Sequence, residues 1–148
     1  MSDPHEYRGG GHFEPIDRTE CLLLLGAHAV GRLGITVRGR PLIYPVNYAV
    51  RVDALLFRTR QGSDMALGTD DRIVAFEIDG VDNLYHEGWS VLVVGNASHV
   101  SAGPDEPSFE DVHLTPWAED DRDLFVRIDL DWVTGRRINH RGDLSRRA

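Results

Sequence analysis

The chain has 148 residues, 41% of them hydrophobic, and a formal net charge of -8 at pH 7. This length and apolar content fit one folded domain with a real hydrophobic core and exclude a disordered chain. The negative balance argues against a DNA- or RNA-binding surface, because such a surface needs positive potential to recruit phosphates.

The basic residues narrow the chemistry further, because all 16 of them are arginines. Without lysine there is no Schiff base to a pyridoxal cofactor and no P-loop lysine for a nucleoside triphosphate. Any phosphate clamp must therefore use arginine, hydroxyls or backbone N–H groups.

Cysteine usage and the apolar runs indicate the compartment. Cys21 is the only cysteine and lies in the apolar run Cys21–Leu25, so we interpret it as a small core residue rather than a reactive thiol. The N-terminal residues lack the apolar stretch of a secretory signal, and no apolar run has the length of a membrane span. We expect a soluble cytoplasmic protein without membrane contacts.

The chain begins with a segment rich in glycine, histidine and charge, which predicts a flexible arm over residues 1–16. A short apolar helix follows, capped by Asp17 or Thr19. It should run to about Leu25 and stop at Gly26. Because it is short and apolar, this helix must lie on a hydrophobic surface.

From Val30 the apolar period changes to two, which predicts strands. The strands are joined by tight turns, the first at Arg38-Gly39, so neighbours in the chain must be antiparallel. Pro45 lacks an N–H group, so pairing must open locally there or the residue must lie at an edge. The first three predicted strands are Val30–Val37, Pro41–Val50 and Ala54–Thr59.

The second half of the chain adds one short helix and further strands. Ser63 is a good cap and Gly68 a good stop for a one-turn helix, and Gly95 marks a bend or bulge. Residues 101–123 are polar and acidic, which predicts a surface excursion with a short helix, and residues 141–148 form a mobile basic tail. The remaining strands are Arg72–Asp79, Trp89–Val100, Leu124–Leu130 and Trp132–Ile138, with Gly80–Gly88 as a loop.

These elements show no β-α-β alternation, which disfavours a doubly wound fold. Six or seven short strands with tight turns predict a mainly β protein, a small antiparallel barrel with short peripheral helices. We place this domain at residues 17–140.

Few motifs carry specific chemistry. The segment His86-Glu87-Gly88-Trp89-Ser90 begins like a zinc-protease helix but lacks the second histidine, so we predict no metal site. No nucleophile elbow is recognisable, which leaves a hydrolase little support. Arg58 and Thr59 end a strand, and a glycine turn then presents Ser63, a combination that can hold a phosphate monoester. The alternative is a solvated arginine and an ordinary helix cap.

A series of short motifs in a fixed order spans roughly residues 17–138. They are Val30-Gly31-Arg32-Leu33, Pro41 through Tyr48, Phe57-Arg58-Thr59, Gly62-Ser63, Val74 through Asp79, Gly88 through Val93 and Val133 through Arg137. In this order they resemble the pyridoxamine 5'-phosphate oxidase-like split-barrel flavoproteins, in particular the small actinobacterial-type members.

The resemblance implies a six-stranded split barrel and a homodimer that binds FMN, or a deazaflavin coenzyme, in a groove between subunits. It implies that Pro45, Val46, Asn47 and Tyr48 run along the flavin ring, with Asn47 or its backbone bonding the polar edge. Arg58, Thr59 and Ser63 would face the phosphate. Trp89 would lie near the cofactor or the dimer contact.

One position departs from the family pattern. Related sequences often carry lysine directly after the Gly-Ser pair, whereas this chain has Asp64. A carboxylate at roughly 4 Å from a phosphate charge would oppose binding by about 4 kcal/mol at an effective dielectric near 20.

Three functions therefore remain in competition. The first is an FMN- or deazaflavin-dependent oxidoreductase that transfers hydride to or from an unidentified small molecule. The second is a non-catalytic flavin-binding or sensing dimer, and the third a structural dimer that has lost its cofactor. The resemblance does not identify catalytic residues or the substrate.

Overall fold

The computed structural model describes residues 12–84, 87–100 and 123–139 of the chain. They form eight strands and two short helices. The strands are β1 (His12–Ile16), β2 (Val30–Val37), β3 (Arg40–Val50), β4 (Ala54–Arg60), β5 (Arg72–Asp82), β6 (Glu87–Val100), β7 (Asp123–Asp129) and β8 (Trp132–Asn139), and the helices are α1 (Arg18–Ala27) and α2 (Asp64–Gly68).

All strand pairs are antiparallel, and the sheet order is β1-β8-β6-β5-β2-β3-β4-β7 with a further pairing of β6 to β7. This last pairing closes six strands into a barrel, since β6 meets β8 through Gly88–Val94 and β7 through Ala97–Val100. The predicted antiparallel barrel is confirmed. The barrel has the six strands predicted, and the described sheet has two more, because β8 and β1 extend it beyond the barrel.

The inner face of the sheet forms the core. Its largest fully buried side chains include Phe57, Phe76 and Leu33, and the Tyr48 ring meets Phe76 edge-on at 4.8 Å between ring centroids. The Phe76 ring also explains why position 31 is a glycine, because a Cβ there would lie closer to the ring than van der Waals contact allows.

Helix α1 covers this core as predicted. The Asp17 carboxylate accepts a 2.8 Å hydrogen bond from the Glu20 N–H, so Asp17 is the cap. Cys21 and Leu25 are buried, which confirms Cys21 as a core residue, and burial raises the pKa of its thiol. The helix passes through Gly26 and ends one residue later than predicted.

The tight turns are also as predicted. Arg38 and Gly39 both have positive φ, at 51° and 75°, the geometry that suits the twist of a two-residue hairpin. The second hairpin is closed by a 2.7 Å bond from the Arg51 N–H to the Ala54 carbonyl.

Two local predictions were wrong, and of the bend or bulge predicted at Gly95 the bulge is absent. Residues 12–16 are not part of a loose arm but form β1, whose pairs with β8 run from His12–Asn139 to Ile16–Gly135. The supposed loop at residues 80–88 is mostly strand, since β5 and β6 stay in register to Asp82–Glu87. Gly95 makes no bulge in that ladder; it is a glycine because a Cβ there would collide with the Asp129 carbonyl.

The remaining predictions of this part of the chain lie outside the described residues. They are the arm before His12, the acidic excursion over residues 101–122 and the tail from residue 140 onwards.

Candidate functional site

The exposed edge of β3 is the most open backbone near the predicted site. Strand β3 pairs with β2 from Arg40 to Asn47 and meets β4 only from Tyr48 to Val50. Within the described ranges, no strand pairs with the β4 side of β3 before Tyr48. The pairing therefore opens next to Pro45, as its missing N–H group predicts.

The four residues predicted to line a flavin ring divide between the two faces of β3. Pro45 is exposed and Asn47 half-buried on the outer face, whereas Val46 and Tyr48 point into the core at 4% exposure each. The Tyr48 hydroxyl donates to the Leu25 carbonyl at 2.6 Å, and burial raises the pKa of this phenol to about 12. Val46 and Tyr48 can therefore offer a ligand only their backbone, and Tyr48 anchors α1.

The structure brings the residues predicted to bind the flavin phosphate together only in part. The Thr59 and Ser63 hydroxyl oxygens lie 3.1 Å apart. The Ser63 hydroxyl donates to the Arg60 carbonyl at 2.6 Å and accepts from the Ala66 N–H at 3.1 Å. Since the Ser63 proton is thus used, the Thr59 hydroxyl donates to Ser63. A phosphate oxygen would have to displace one of these internal bonds.

Arg58 lies on the other face of β4 from Thr59, because successive strand residues alternate. Its guanidinium sits over the Phe125 ring at 5.4 Å from the centroid. Asp64, in the first turn of α2, is exposed. Arg58 and Thr59 therefore do not converge on one side of β4, and a carboxylate stands in the turn that follows Ser63.

The turn that carries Ser63 is held by hydrogen bonds to His99 of β6. His99 Nε2 lies 3.0 Å from the Ala66 carbonyl and 3.2 Å from the Thr69 hydroxyl, and Nδ1 lies 3.9 Å from Asp70. The Thr69 hydroxyl already donates to the Met65 carbonyl at 2.6 Å, so Nε2 carries the hydrogen donated to Ala66. Sequence reasoning missed this contact, since a lone histidine within a strand carries no signal.

Trp89 lies far from this turn. It stands ten residues before His99 on the same strand, which corresponds to roughly 30 Å of extended chain. Its indole packs across Gly80, where a Cβ would lie 2.5 Å from Nε1, and its ring centroid is 5.0 Å from that of His28. With Arg137 it lines an open cleft of ≈ 370 Å³ at the β5–β6 hairpin. The predicted site residues therefore form two separate groups in one chain.

A charged cluster beside Pro45 was not predicted. Arg32, the cross-strand partner of Pro45, contacts Asp79 at 2.9 Å and Glu77 at 3.5 Å. Burial raises the pKa of Glu77 to about 7, and Asp79 adds to the rise while Arg32 opposes it. The alternation of Glu77 and Asp79 on one strand is the only signal in the sequence for this cluster.

Over residues 12–84, 87–100 and 123–139, no three histidine, cysteine or carboxylate side chains gather in a way that could hold a metal ion. Within the same part of the chain, no helix is both long and apolar enough to cross a membrane. His86 lies outside the described residues.

The profile of a family described as pyridoxamine 5'-phosphate oxidase matches residues 17–137. An uncharacterised protein of Mycobacterium tuberculosis is 34% identical over 128 residues, which are 83% of this chain and 84% of the relative.

Two solved structures are similar in fold. The FAD binding protein of Mycobacterium smegmatis is 34% identical, with a TM-score of 0.72, over 84% of this chain and 98% of the other. A FAD-binding protein of Mesorhizobium loti has a TM-score of 0.76 over 88% of this chain and 100% of the other. At 24% identity, the second likeness concerns the split-barrel fold alone.

Proposed function

Because this chain belongs to the pyridoxamine 5'-phosphate oxidase family, whose profile matches residues 17–137, we propose that it binds a flavin nucleotide and acts as a flavin-dependent oxidoreductase. The observation that carries the proposal is the open edge of β3 beside Pro45, where backbone groups and a flat, exposed proline lie together. A bound flavin supplies hydride transfer, and the protein supplies binding, orientation and electrostatics.

In this proposal each predicted residue has a defined part. Pro45 and Asn47 lie against the ring with their side chains, and Val46 and Tyr48 with their backbone. The hydroxyls of Thr59 and Ser63 exchange an internal hydrogen bond for a phosphate oxygen. Arg58 must turn from the Phe125 ring to reach the same phosphate.

The choice of flavin depends on Asp64. FMN, the cofactor that the resemblance implies, ends in a phosphate monoester dianion, which an exposed carboxylate beside Ser63 opposes. FAD carries a diphosphate instead of a terminal monoester, and the relative from Mycobacterium smegmatis is a FAD binding protein. We therefore propose FAD beside FMN, with a deazaflavin coenzyme as the third candidate.

Trp89 supports a homodimer with the flavin groove between subunits. Within one chain it lies roughly 30 Å along β6 from the Ser63 turn, so it cannot share that chain's phosphate end. In a homodimer the partner subunit can supply a tryptophan to the groove, which reconciles the two groups of predicted residues.

The first experiment is an absorption spectrum of the protein as purified, followed by titration with FMN, FAD and the deazaflavin coenzyme. We expect at least one to bind well below millimolar concentration. Asp64→Lys should tighten FMN by about tenfold or more by replacing a repulsive charge. The matched control is Asp131→Lys, at the exposed turn between β7 and β8, away from the Ser63 turn. Failure of all three flavins to bind would exclude the proposal.

A second measurement separates the enzyme from a flavin-binding sensor. If NAD(P)H or another hydride donor reduces the bound flavin and a small-molecule acceptor reoxidises it, the protein is an oxidoreductase. Tight binding without turnover with any donor would favour the sensing dimer.

A further inference from the structure

Helix α2 packs its small residues against the barrel. Ala66 and Gly68 are buried, and a Cβ at Gly68 would lie 2.8 Å from the Ile35 side chain of β2. The helix has only five residues, too few to be stable in water by itself, because forming one turn orders several residues for few hydrogen bonds. Contacts with the strands must therefore hold α2 in place, together with the turn that carries Ser63.

Side chains cap both ends of α2. At its start the Ser63 hydroxyl accepts a hydrogen bond from the Ala66 N–H at 3.1 Å. The last carbonyls of a helix have no partner within it, and here the Thr69 hydroxyl donates to the Met65 carbonyl at 2.6 Å. His99 Nε2 lies 3.0 Å from the Ala66 carbonyl and, because a carbonyl only accepts, Nε2 carries the hydrogen. Ala66 therefore links His99 to Ser63 through its own peptide groups.

The register of the barrel brings His99 to the predicted phosphate end. Val126 of β7 pairs with Phe57 of β4 on one side and with His99 of β6 on the other. Over residues 12–84, 87–100 and 123–139, the buried polar side chains are Thr59 and Thr69, and both take part in the hydrogen bonds around α2. Buried polar groups keep their partners, so these bonds fix the position of the turn.

We propose that His99 is a positioning residue for the flavin phosphate, because it holds the Ser63 turn through the Ala66 carbonyl. The inference rests on the flavin binding proposed above. A Ser63 hydroxyl that turns towards a phosphate oxygen gives up the Arg60 carbonyl and weakens its cap on the Ala66 N–H. The bonds at the other end of α2 then hold the turn. His99 therefore stabilises the flavin-bound protein more than the free protein, and a difference of this kind raises affinity.

Two substitutions separate the hydrogen bond of His99 from the packing of its ring. His99→Gln places an amide N–H near the position of Nε2, whereas His99→Asn places its amide near Nδ1, too short to reach the Ala66 carbonyl. Both remove the ring, so an effect of lost packing is common to the two. We expect His99→Asn to weaken the binding of FMN and FAD about tenfold and His99→Gln at most about twofold.

The test is a fluorescence titration of the full chain with FMN, FAD and riboflavin, which has the same ring without a phosphate. Riboflavin affinity should stay within about twofold of wild type in both variants, because the ring binds at β3. Amide hydrogen exchange of residues 64–69 without flavin gives a readout independent of binding. It should be faster in His99→Asn and close to wild type in His99→Gln.

The outcomes separate this role from the proposed function. Equal affinities of wild type and His99→Asn for FMN and FAD would overturn the role of His99 and leave flavin binding intact. An equal loss in both variants, or a loss that extends to riboflavin, would reduce His99 to a structural residue and overturn the inference as well. A wild type that binds none of the three flavins would overturn the proposed function and this role with it.

Discussion

The inner and outer faces of the barrel sheet are formed by the same strands but differ in burial and charge. On β5 the inward residues Val74, Phe76 and Ile78 are at most 3% exposed, whereas Ile73, on the opposite face, is 69% exposed. The inner face is packed and uncharged along this strand. The outer face carries the exposed side chains of Ile43 and Ile73, the charged cluster of Arg32 and the open edge at Pro45. The difference shows that the inner face of the sheet packs the core, while residues of the outer face stay accessible to solvent.

The largest expected effect compares the same substitution on the two faces of β5, at one buried and one exposed isoleucine. Ile78→Ala should lower the free energy of unfolding by about 2–5 kcal/mol, because it leaves a cavity in the core. Ile73→Ala should lower it by less than about 0.5 kcal/mol. Urea unfolding of both variants at low protein concentration measures the difference. Equal losses would mean that the outer face is buried in solution.

The second effect concerns the hydroxyl that joins the inner face to α1. Tyr48→Phe leaves the Leu25 carbonyl without its donor and should lower the free energy of unfolding by about 1–3 kcal/mol at neutral pH.

The same residue gives a pH dependence of known sign. The pKa of Tyr48 is raised from 10.0 to about 12, so the unfolded chain ionises first. Stability is therefore lost as the pH rises from about 10 towards 12, and Tyr48→Phe should remove this part of the loss. A tyrosine absorbance titration without any residue ionising late would contradict the buried hydrogen bond.

On the outer face, Glu77 should give a pH dependence near neutrality. Its pKa is higher in the folded chain than the unperturbed 4.5, so wild type loses stability as the pH rises from about 4.5 to about 7. After a discount for solvent screening, the loss should be about 1–2 kcal/mol. Glu77→Gln should lack this part of the loss and be more stable than wild type at pH 8. Thermal unfolding at low concentration checks both curves.

Much of this fold can be predicted from the sequence where local chemistry decides the structure. The Asp17 and Ser63 caps and the Arg38-Gly39 turn occur where predicted, and β2 has the predicted bounds. Strand β1 was missed because its partner is more than a hundred residues away. Gly80 was taken for a loop residue, although it is a glycine because the Trp89 indole lies across it.

The site was harder to predict for the same reason. Motif order brings Arg58, Thr59 and Ser63 together in sequence, but strand alternation sends Arg58 to the opposite face from Thr59. The order of motifs in the sequence also does not give distances in the fold. Trp89 was therefore predicted as a site residue, although it lies at the far end of β6 from the Ser63 turn. The cluster of Arg32 with Glu77 and Asp79 exists only because β2 and β5 pair in one particular register.

The smallest expected effect on stability comes from Arg32 and tests why Glu77 differs from an ordinary surface carboxylate. Arg32→Gln removes exposed ion pairs and should lower the free energy of unfolding by about 1 kcal/mol or less. Its effect on titration should be clear, because Arg32 is the cation that lowers the pKa of Glu77. Carbon-13 chemical shifts of the Glu77 carboxyl should show a higher pKa in Arg32→Gln, a lower one in Asp79→Asn and no change in Arg40→Gln, a control at the exposed β2–β3 turn. Because the two cluster variants must move the pKa in opposite directions, a shift of the same sign in both would contradict the charge arrangement of the outer face.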